Sequence, residues 1–121
     1  MADYTPIFKP GVEVTLTASA DITAGQTLVV TGQQTVGPAA GASAAYAGVA
    51  AFDAKSGEKV VVIGPAVHEL TASGAVADGD LVTTASTGRV AAVGAEPAFG
   101  TAIGVALADA ASNKVIVKTF R

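Results

Sequence analysis

The sequence predicts an all-β, single-domain fold, a barrel or sandwich with little helix, built from two similar halves. Short aliphatic runs follow turns that contain Gly or Asn, and the second half of the chain repeats the first block by block. No stripe of large apolar residues recurs at helical spacing. The chain of 121 residues suffices for one core, but each half is too small to bury a hydrophobic face alone. We therefore expect the two halves to share one core.

The internal repeat is visible in two pairs of aligned blocks. "LTASADITAGQTLVVTG" from Leu16 aligns with "LTASGAVADGDLVTT" from Leu70, an offset of 54 residues. "GVAAFDAKSGEKVVV" from Gly48 aligns with "GVALADAASNKVIV" from Gly104, an offset of 56 residues. The blocks keep the same order in both halves, which is typical of a duplicated unit. The prediction is a single β domain over residues 12–121, with repeats at about 12–65 and 66–121, preceded by an extended arm over residues 1–11.

The individual strands are predicted from alternation and from turns. In "VEVTLT", residues 12–17, Val and Leu alternate with Glu and Thr, so the polar side chains are expected to face solvent. Four later strands follow turns in "AGQTLVV", "SGEKVVV", "DGDLVTT" and "SNKVIV", where Gly or Asn supplies the positive φ of a tight turn. Residues 60–63 are apolar on both faces. They predict a central strand, or a strand that another subunit covers.

The stretch "GPAAGASAAYAGVAAF", residues 37–52, is uncharged and contains few large side chains. The uncharged interval 22–51 is long enough to cross a bilayer, but it contains Gln, Pro and Gly residues and few Leu or Ile, so we predict no membrane span. A helix is not predicted in this stretch either, because Gly41 and Gly48 would interrupt it. Because the repeat aligns the stretch with "AEPAFGTAI" and the strand after it, we predict a loop followed by a strand. Segments such as residues 98–102 are expected to hold at most a short turn of helix.

Composition excludes several classes of function. The net charge is −3 and no run of Lys or Arg occurs, which predicts no nucleic-acid partner. The chain has no Cys, so neither a disulfide nor a thiolate metal site is expected. The N-terminus "MADYTPIFKPG" lacks the apolar core of a signal peptide. No phosphate-binding glycine motif is present.

The sequence offers little for catalysis. His68 is the single histidine, and the 54-residue offset places it at the position of Val14, on the inward side of its strand. We interpret it as a core or interface residue, because a catalytic base needs a nucleophile and an orienting group beside it. Asp78 and Asp80 in "ADGDL" lack the further ligands of a calcium loop and predict a turn.

A second pair of acidic residues recurs in the two halves. Asp53 and Asp109 both follow the "GVA" segment in a "DA" pair. A carboxylate at such a point accepts hydrogen bonds from turn amides, so we predict structural capping at both positions. No catalytic, cofactor or metal residue is predicted, and the chain is not expected to be an enzyme.

A resemblance extends over nearly the whole chain. The segments "FKPG", "VEVTLTA", "ITAGQTLVV", "SGEKVVV", "ADGDLVTTASTGRV" and "AIGVALADAASNKVIVKTFR" together resemble the small capsid decoration, or cement, proteins of tailed bacteriophages, of the lambda-like head-decoration type. The resemblance rests on the order of the segments, not on one invariant motif, and part of it also occurs in small β-clip and barrel modules. It implies a compact β-tulip-like or β-clip-like subunit that trimerises and clamps the outer capsid lattice.

The resemblance sets the functional expectations. It implies a structural virion protein on the capsid outer surface, made in the host cytoplasm, that stabilises the shell and requires no cofactor. The expected partners are the major capsid protein and further copies in a homotrimer, with no nucleic acid and no membrane. One alternative is a small β-clip or barrel module that binds a ligand or serves an enzyme, with His68, Glu69 and Arg89 lining its pocket. Another is the base of a fibre or spike.

The arm carries the predicted partner-binding residues. Its larger apolar side chains are unusual in a chain poor in them, and its two prolines disfavour the interior of a sheet. We expect it to bind a capsid subunit or a neighbouring protomer, adding hydrogen bonds to an exposed strand edge. The alternative is that its apolar side chains cap the core of their own subunit. The predicted contact residues are Tyr4, Pro6, Ile7, Phe8 and Lys9.

Overall fold

The structure, a computed structural model, describes residues 13–93 and 100–121. Within these ranges the chain forms ten β-strands and a single turn of 3₁₀ helix at Ser86–Gly88. The strands are β1 (Glu13–Ala18), β2 (Thr27–Gly32), β3 (Thr35–Pro38), β4 (Tyr46–Ala50), β5 (Lys59–Ile63), β6 (Val67–Thr71), β7 (Leu81–Ala85), β8 (Arg89–Ala92), β9 (Ala102–Ala106) and β10 (Lys114–Thr119). The predicted all-β class with little helix is confirmed.

The first five strands close into a barrel in the order β1-β3-β2-β4-β5. Strand β1 closes it by pairing parallel with β3 and antiparallel with β5. The other neighbours are antiparallel, as short connections require. A closed barrel leaves no free strand edge in this half of the molecule.

The second five strands repeat this arrangement. The repeat partners are β1 and β6, β2 and β7, β3 and β8, β4 and β9, and β5 and β10. The order of the second sheet is β6-β10-β9-β7-β8, which is the order around the first barrel, from β1 through β5, with each strand replaced by its partner. Where Ala18 of β1 pairs with Val36 of β3, the equivalent residues Ala72 and Val90 form a single parallel bridge. The two pseudo-repeated halves predicted from the sequence are confirmed by this shared strand order. The proposed repeat boundaries, near residue 65, remain a prediction.

The four predicted turns have the predicted backbone. Each of the turns before β2, β5, β7 and β10 has a positive φ at the expected Gly or Asn. The φ values are 85°, 88°, 83° and 63° at Gly25, Gly57, Gly79 and Asn113. Gly and Asn tolerate this left-handed region better than other residues do. A turn with a positive φ thus starts each of the two equivalent pairs of strands, and the turn before β10 has a second positive φ, 51° at Ser112.

The alternation of side chains follows the predicted pattern. Val60 and Val62 of β5 are buried in the barrel, and β5 lies between β1 and β4, so it is a central strand as predicted. On β1 the polar residues Glu13 and Thr15 are exposed. Residues 37–52 form the end of β3, a loop and β4, which confirms the predicted loop and strand. Within the described ranges no helix has the length and apolarity that a membrane span needs.

Each half has its own apolar interior, so the prediction of one shared core is wrong. Each half buries its own cluster between its five strands, and part of the first half joins the cluster of the second. Ile22, Leu28, Val36, Val60 and Val62 belong to the cluster inside the barrel. The second cluster is larger because two residues of β4 join it from the first half. Its buried members are Tyr46, Val49, Leu70, Ala72, Val76, Val82, Val90, Ile103, Ala106, Val115 and Val117.

Hydrogen bonds also connect the halves. The Thr84 hydroxyl of β7 donates to the Gly41 carbonyl at 2.8 Å and accepts from the Ser43 amide at 3.0 Å. The Thr27 hydroxyl of β2 donates to the Arg89 carbonyl at 3.2 Å. Because Thr27 and Thr84 are buried, these bonds satisfy polar atoms that would otherwise be costly to bury.

Candidate functional site

The predicted partner-binding residues Tyr4, Pro6, Ile7, Phe8 and Lys9 lie outside the described residues. Their role therefore stays a prediction. The described part of the chain supplies other candidate surfaces, which follow from its turns, its grooves and its exposed sheet faces.

His68 lies on the inward side of β6, as the repeat predicts. It alternates with the exposed residues Val67 and Glu69 and points to the same side as the buried Leu70. Its Nε2 atom lies 3.1 Å from the Gly64 carbonyl oxygen. This contact fixes the ring against the chain that links the two halves, which supports a structural role.

The paired carboxylates hold turns in both halves. Asp53 Oδ1 accepts the Ala24 amide at 2.8 Å, and Asp109 Oδ1 accepts the equivalent amide of Asp78 at 2.8 Å. The prediction of structural capping is thereby confirmed for both. Asp80 Oδ2 accepts the amide of Ala77 within its own turn at 3.0 Å, so "ADGDL" forms a turn as predicted.

A groove of about 360 Å³ lies where the first turn of one half meets the outer face of the other. Glu69 and Arg89 line it, as the alternative function required, whereas His68 does not. Its two basic groups are already engaged: Lys114 Nζ donates to the Thr71 hydroxyl at 2.9 Å, and Arg89 Nε donates to the Ser86 carbonyl at 2.9 Å. The groove therefore contains two of the three predicted lining residues, and its basic side chains are bound to neighbouring protein atoms.

A second groove of about 430 Å³ has three acidic residues, Asp21, Asp53 and Glu58, among the residues that line it. Asp21 Oδ1 accepts the Ser56 amide at 3.1 Å, and Glu58 Oε1 accepts the Lys55 amide at 2.8 Å. These carboxylates stabilise turns. Among residues 13–93 and 100–121, no three His, Asp or Glu side chains converge in a way that could hold a metal ion.

Tyr46 is the one residue with a clearly shifted pKa in the described part of the chain. Burial raises the pKa of Tyr46 to about 12, and the positive charge of Arg121 opposes this shift. Its hydroxyl is buried and finds no hydrogen-bond partner among the described residues. The Arg121 guanidinium instead donates to the carbonyl oxygens of Gly100 and Ala44, at 3.1 and 2.7 Å. Tyr46 thus contributes apolar packing at the junction of the halves.

The largest exposed apolar side chains in the described ranges include three on the outer face of the second sheet. Val67 of β6 and Ile116 of β10 are 59% and 42% exposed, and Leu107, directly after β9, is 50% exposed. The backbone places Leu107 beside Ile116, since the Leu107 amide donates to the Ile116 carbonyl at 2.8 Å. These three side chains were not predicted as candidate binding residues. Val67 and Ile116 could have been found from the sequence, because each is an apolar residue at an outward position of its strand, in "VHELT" and "KVIVKT".

Comparison with known proteins places this fold among phage structural proteins. The chain is similar to the head fiber gp8.5 N base in bacteriophage phi29, with a TM-score of 0.68 and 23% sequence identity, over 89% of this chain and 92% of that one. At this identity the likeness is one of fold. No curated protein matches the sequence. The model of the phage cement protein family matches residues 8–120.

That match covers both halves and all ten strands, so it does not depend on a shared fragment. It also agrees with the resemblance that the order of the sequence segments indicated. The chain belongs to the phage cement protein family.

Proposed function

We propose that the chain is a structural virion protein that binds the outer surface of a phage capsid as a homotrimer and stabilises the shell. The observation that carries this proposal is the family match over residues 8–120. The fold shared with the head fiber gp8.5 N base supports it, because that protein is also part of a phage head.

The surface chemistry supports a role in close packing. Only 14% of the residues are charged, and Ala, Val, Thr and Gly are abundant. Small apolar and hydroxyl groups lose little when an interface excludes water, whereas an unpaired charge is expensive to bury. In an oligomer, modest contacts suffice, since a subunit held at one site rebinds the others at high effective concentration.

The described side chains favour a mechanical role over catalysis. His68 contacts a backbone carbonyl, and the carboxylates at Asp53 and Asp109 hold turns. All three contacts are structural, and the carboxylate contact occurs at equivalent positions in both halves. We accordingly propose that the protein is not an enzyme and acts by binding alone.

Capsid binding is measured by co-sedimentation. Capsids of the phage that encodes the chain, prepared without this protein, are mixed with increasing amounts of it and pelleted. The proposal predicts saturable binding at a fixed number of copies per capsid. Bovine serum albumin serves as the control for trapping in the pellet. Absence of the chain from the pellet at every capsid concentration would refute the proposal.

The arm is proposed to make part of the capsid contact. Burial of two side chains such as Ile7 and Phe8 contributes on the order of 3 to 6 kcal/mol before ordering costs, which matters when it is repeated in each protomer. Deletion of residues 2–9 is expected to leave the melting temperature nearly unchanged and to abolish co-sedimentation with capsids.

A full-length control separates side-chain contacts from backbone contacts. The double variant Ile7→Asn with Phe8→Asn keeps the length of the arm and its backbone hydrogen-bonding groups. We expect it to bind more weakly than wild type and more strongly than the deletion. Unfolding of the deletion variant would favour the alternative in which the arm caps its own core, and undiminished capsid binding would exclude the arm as a contact.

A further inference from the structure

Part of the outer face of the barrel, on β2 and β4, is covered by the second half of the same chain. Thr27 of β2 and Val49 of β4 are cross-strand neighbours on this face, and both are buried. Thr27 donates to the Arg89 carbonyl, and Val49 belongs to the apolar cluster of the second half. The covering element is the hairpin of β7 and β8, whose Gly88 amide also donates to the Ala39 carbonyl at 2.9 Å.

The equivalent face of the second sheet, called the open face below, is not covered in the same way by the described residues. Its cross-strand row is formed by Leu81, Val105, Lys118 and Val67, in the same register as the covered row. Leu81 and Val105, the counterparts of Thr27 and Val49, are only half-buried. The next row adds the exposed side chains of Leu107 and Ile116. At the positions equivalent to Thr27 and Val49 the open face is therefore apolar and only half-buried, and the charged side chains of Glu69 and Lys118 lie on its β6–β10 side.

The first half carries an unused counterpart of the covering hairpin. The hairpin of β2 and β3 is the repeat partner of the hairpin of β7 and β8, and its end, residues 30–35, has no charged side chain. Val30 is 50% exposed, whereas its counterpart Thr84 is 1% exposed in the internal contact. The exposed position on the β2–β3 hairpin thus has an apolar residue, Val30, where the internal interface has the buried Thr84.

We propose that copies of this chain associate head to tail, with the β2–β3 hairpin of one copy covering the open face of the second sheet of the next. The contact repeats between copies the arrangement that joins the two halves within one copy. By equivalence with Thr27 and Arg89, it brings Leu81 of one copy beside Thr35 of the next. This inference deepens the proposed homotrimer, on which it rests, by naming its two surfaces.

The contact surfaces differ from the internal ones in one respect. A Cβ added at Gly88 would lie 2.6 Å from the Gln26 Cβ, so the internal hairpin fits closely because it has a glycine there. Its counterpart Gln34 has a side chain and a φ of 49° in the same left-handed region. We therefore expect a wider contact between copies, with the Val30 and Gln34 side chains filling the added space. Because the two surfaces of this interface are different, successive copies join in one direction. The proposed homotrimer requires that this series of contacts closes into a ring after three copies.

Sedimentation velocity of the free protein measures the association. The variants are Val30→Glu on the hairpin and Leu81→Glu on the open face, and the matched control is Phe52→Glu, an apolar residue 45% exposed outside both surfaces. Wild type and Phe52→Glu are expected to sediment as oligomers, and each of the other variants as monomers. If Leu81→Glu does not fold by circular dichroism, Leu107→Glu on the same face replaces it.

A mixture of the two interface variants gives the sharper result. Val30→Glu keeps an intact open face and Leu81→Glu keeps an intact hairpin, so an equimolar mixture is expected to form a dimer of one copy of each and nothing larger. A mixture that stays monomeric would overturn the head-to-tail arrangement, and oligomers that persist in both single variants would overturn the assigned surfaces. A wild-type protein that is monomeric at every concentration would overturn the trimer as well. Because capsids are absent from this experiment, failure of capsid binding is seen separately.

Discussion

Gly48 lies at a point where the first barrel has no room for a side chain. Its φ is 150°, and an added Cβ would meet the Ile63 carbonyl oxygen at 2.5 Å and the Val62 Cγ1 atom at 2.6 Å. It sits beside the register shift between β2 and β4, and its repeat partner Gly104 lies as close to the backbone of Lys118. A glycine in a strand often marks such a close approach of two backbones.

Substitution of Gly48 tests this packing. Gly48→Ala is expected to lower the free energy of unfolding by at least about 2 kcal/mol, because the barrel must open to admit the methyl group and the φ is unfavourable. Gly41→Ala is the matched control, since an added Cβ there meets nothing within 4 Å. Urea denaturation followed by circular dichroism measures both. Equal stability of the two variants would contradict the close contact.

Tyr46 gives a second prediction at the scale of one residue. Its buried hydroxyl has no partner among the described residues, and a buried polar group without a hydrogen bond is costly. Tyr46→Phe is therefore expected to raise the free energy of unfolding by about 1 to 2 kcal/mol at neutral pH. A loss of stability in chemical denaturation would show that the hydroxyl is satisfied.

The same residue predicts a dependence on alkaline pH. The folded pKa of about 12 lies above the unfolded value of 10.0, so the folded state holds this proton more tightly. The stabilisation is complete below pH 10 and is lost as the pH rises from 10 toward 12, because only the unfolded state then gains by releasing the proton. Tyr46→Phe should remove this part of the alkaline loss. Parallel stability curves for the two proteins between pH 9 and pH 12 would contradict the shift.

At the scale of elements, turns were the most predictable feature. The positive φ at Gly25, Gly57, Gly79 and Asn113 follows from local residue chemistry, and so does the strand after each turn. The repeat in turn predicted equivalent strands. The parallel pairing of β1 with β3 was not predictable in this way, because it joins segments through contacts that no local pattern specifies.

The paired turn contacts of Asp53 and Asp109 predict equal effects in the two halves. Each carboxylate accepts one turn amide at 2.8 Å, so Asp53→Ala and Asp109→Ala are each expected to cost about 1 kcal/mol of stability. The costs should add in the double variant, because the two residues hold separate turns. The Asn variants keep a side-chain acceptor and should recover most of the loss. Thermal unfolding that differs strongly between the two Ala variants would contradict equivalent roles.

At the scale of the whole molecule, the sequence predicted two related halves but not how they meet. Thr27 and Leu81 occupy equivalent positions, yet the first is buried by the β7–β8 hairpin and the second is open. Only the three-dimensional arrangement shows which outer face is covered. For the same reason the sequence grouped His68 with Glu69 and Arg89, whereas alternation along β6 turns His68 away from the groove that the other two line.

The open face and the free hairpin make the whole molecule a unit for assembly. Among the described residues, the second half covers one surface of the first half, and the equivalent surface of the second sheet is less buried. Under the proposed function, a ring of such copies on a capsid would contact several neighbouring capsid subunits at once. Stabilisation of the shell then follows from many weak contacts that must break together.

The rupture temperature of capsids is the most direct test of the proposal that the protein stabilises the shell. Capsids prepared without this protein are filled with it in steps, and a dye that fluoresces on released DNA reports the temperature at which each sample opens. The account predicts a rupture temperature that rises with occupancy and stops rising when all sites are filled. A rupture temperature that stays constant while the protein occupies its sites would contradict a cementing function.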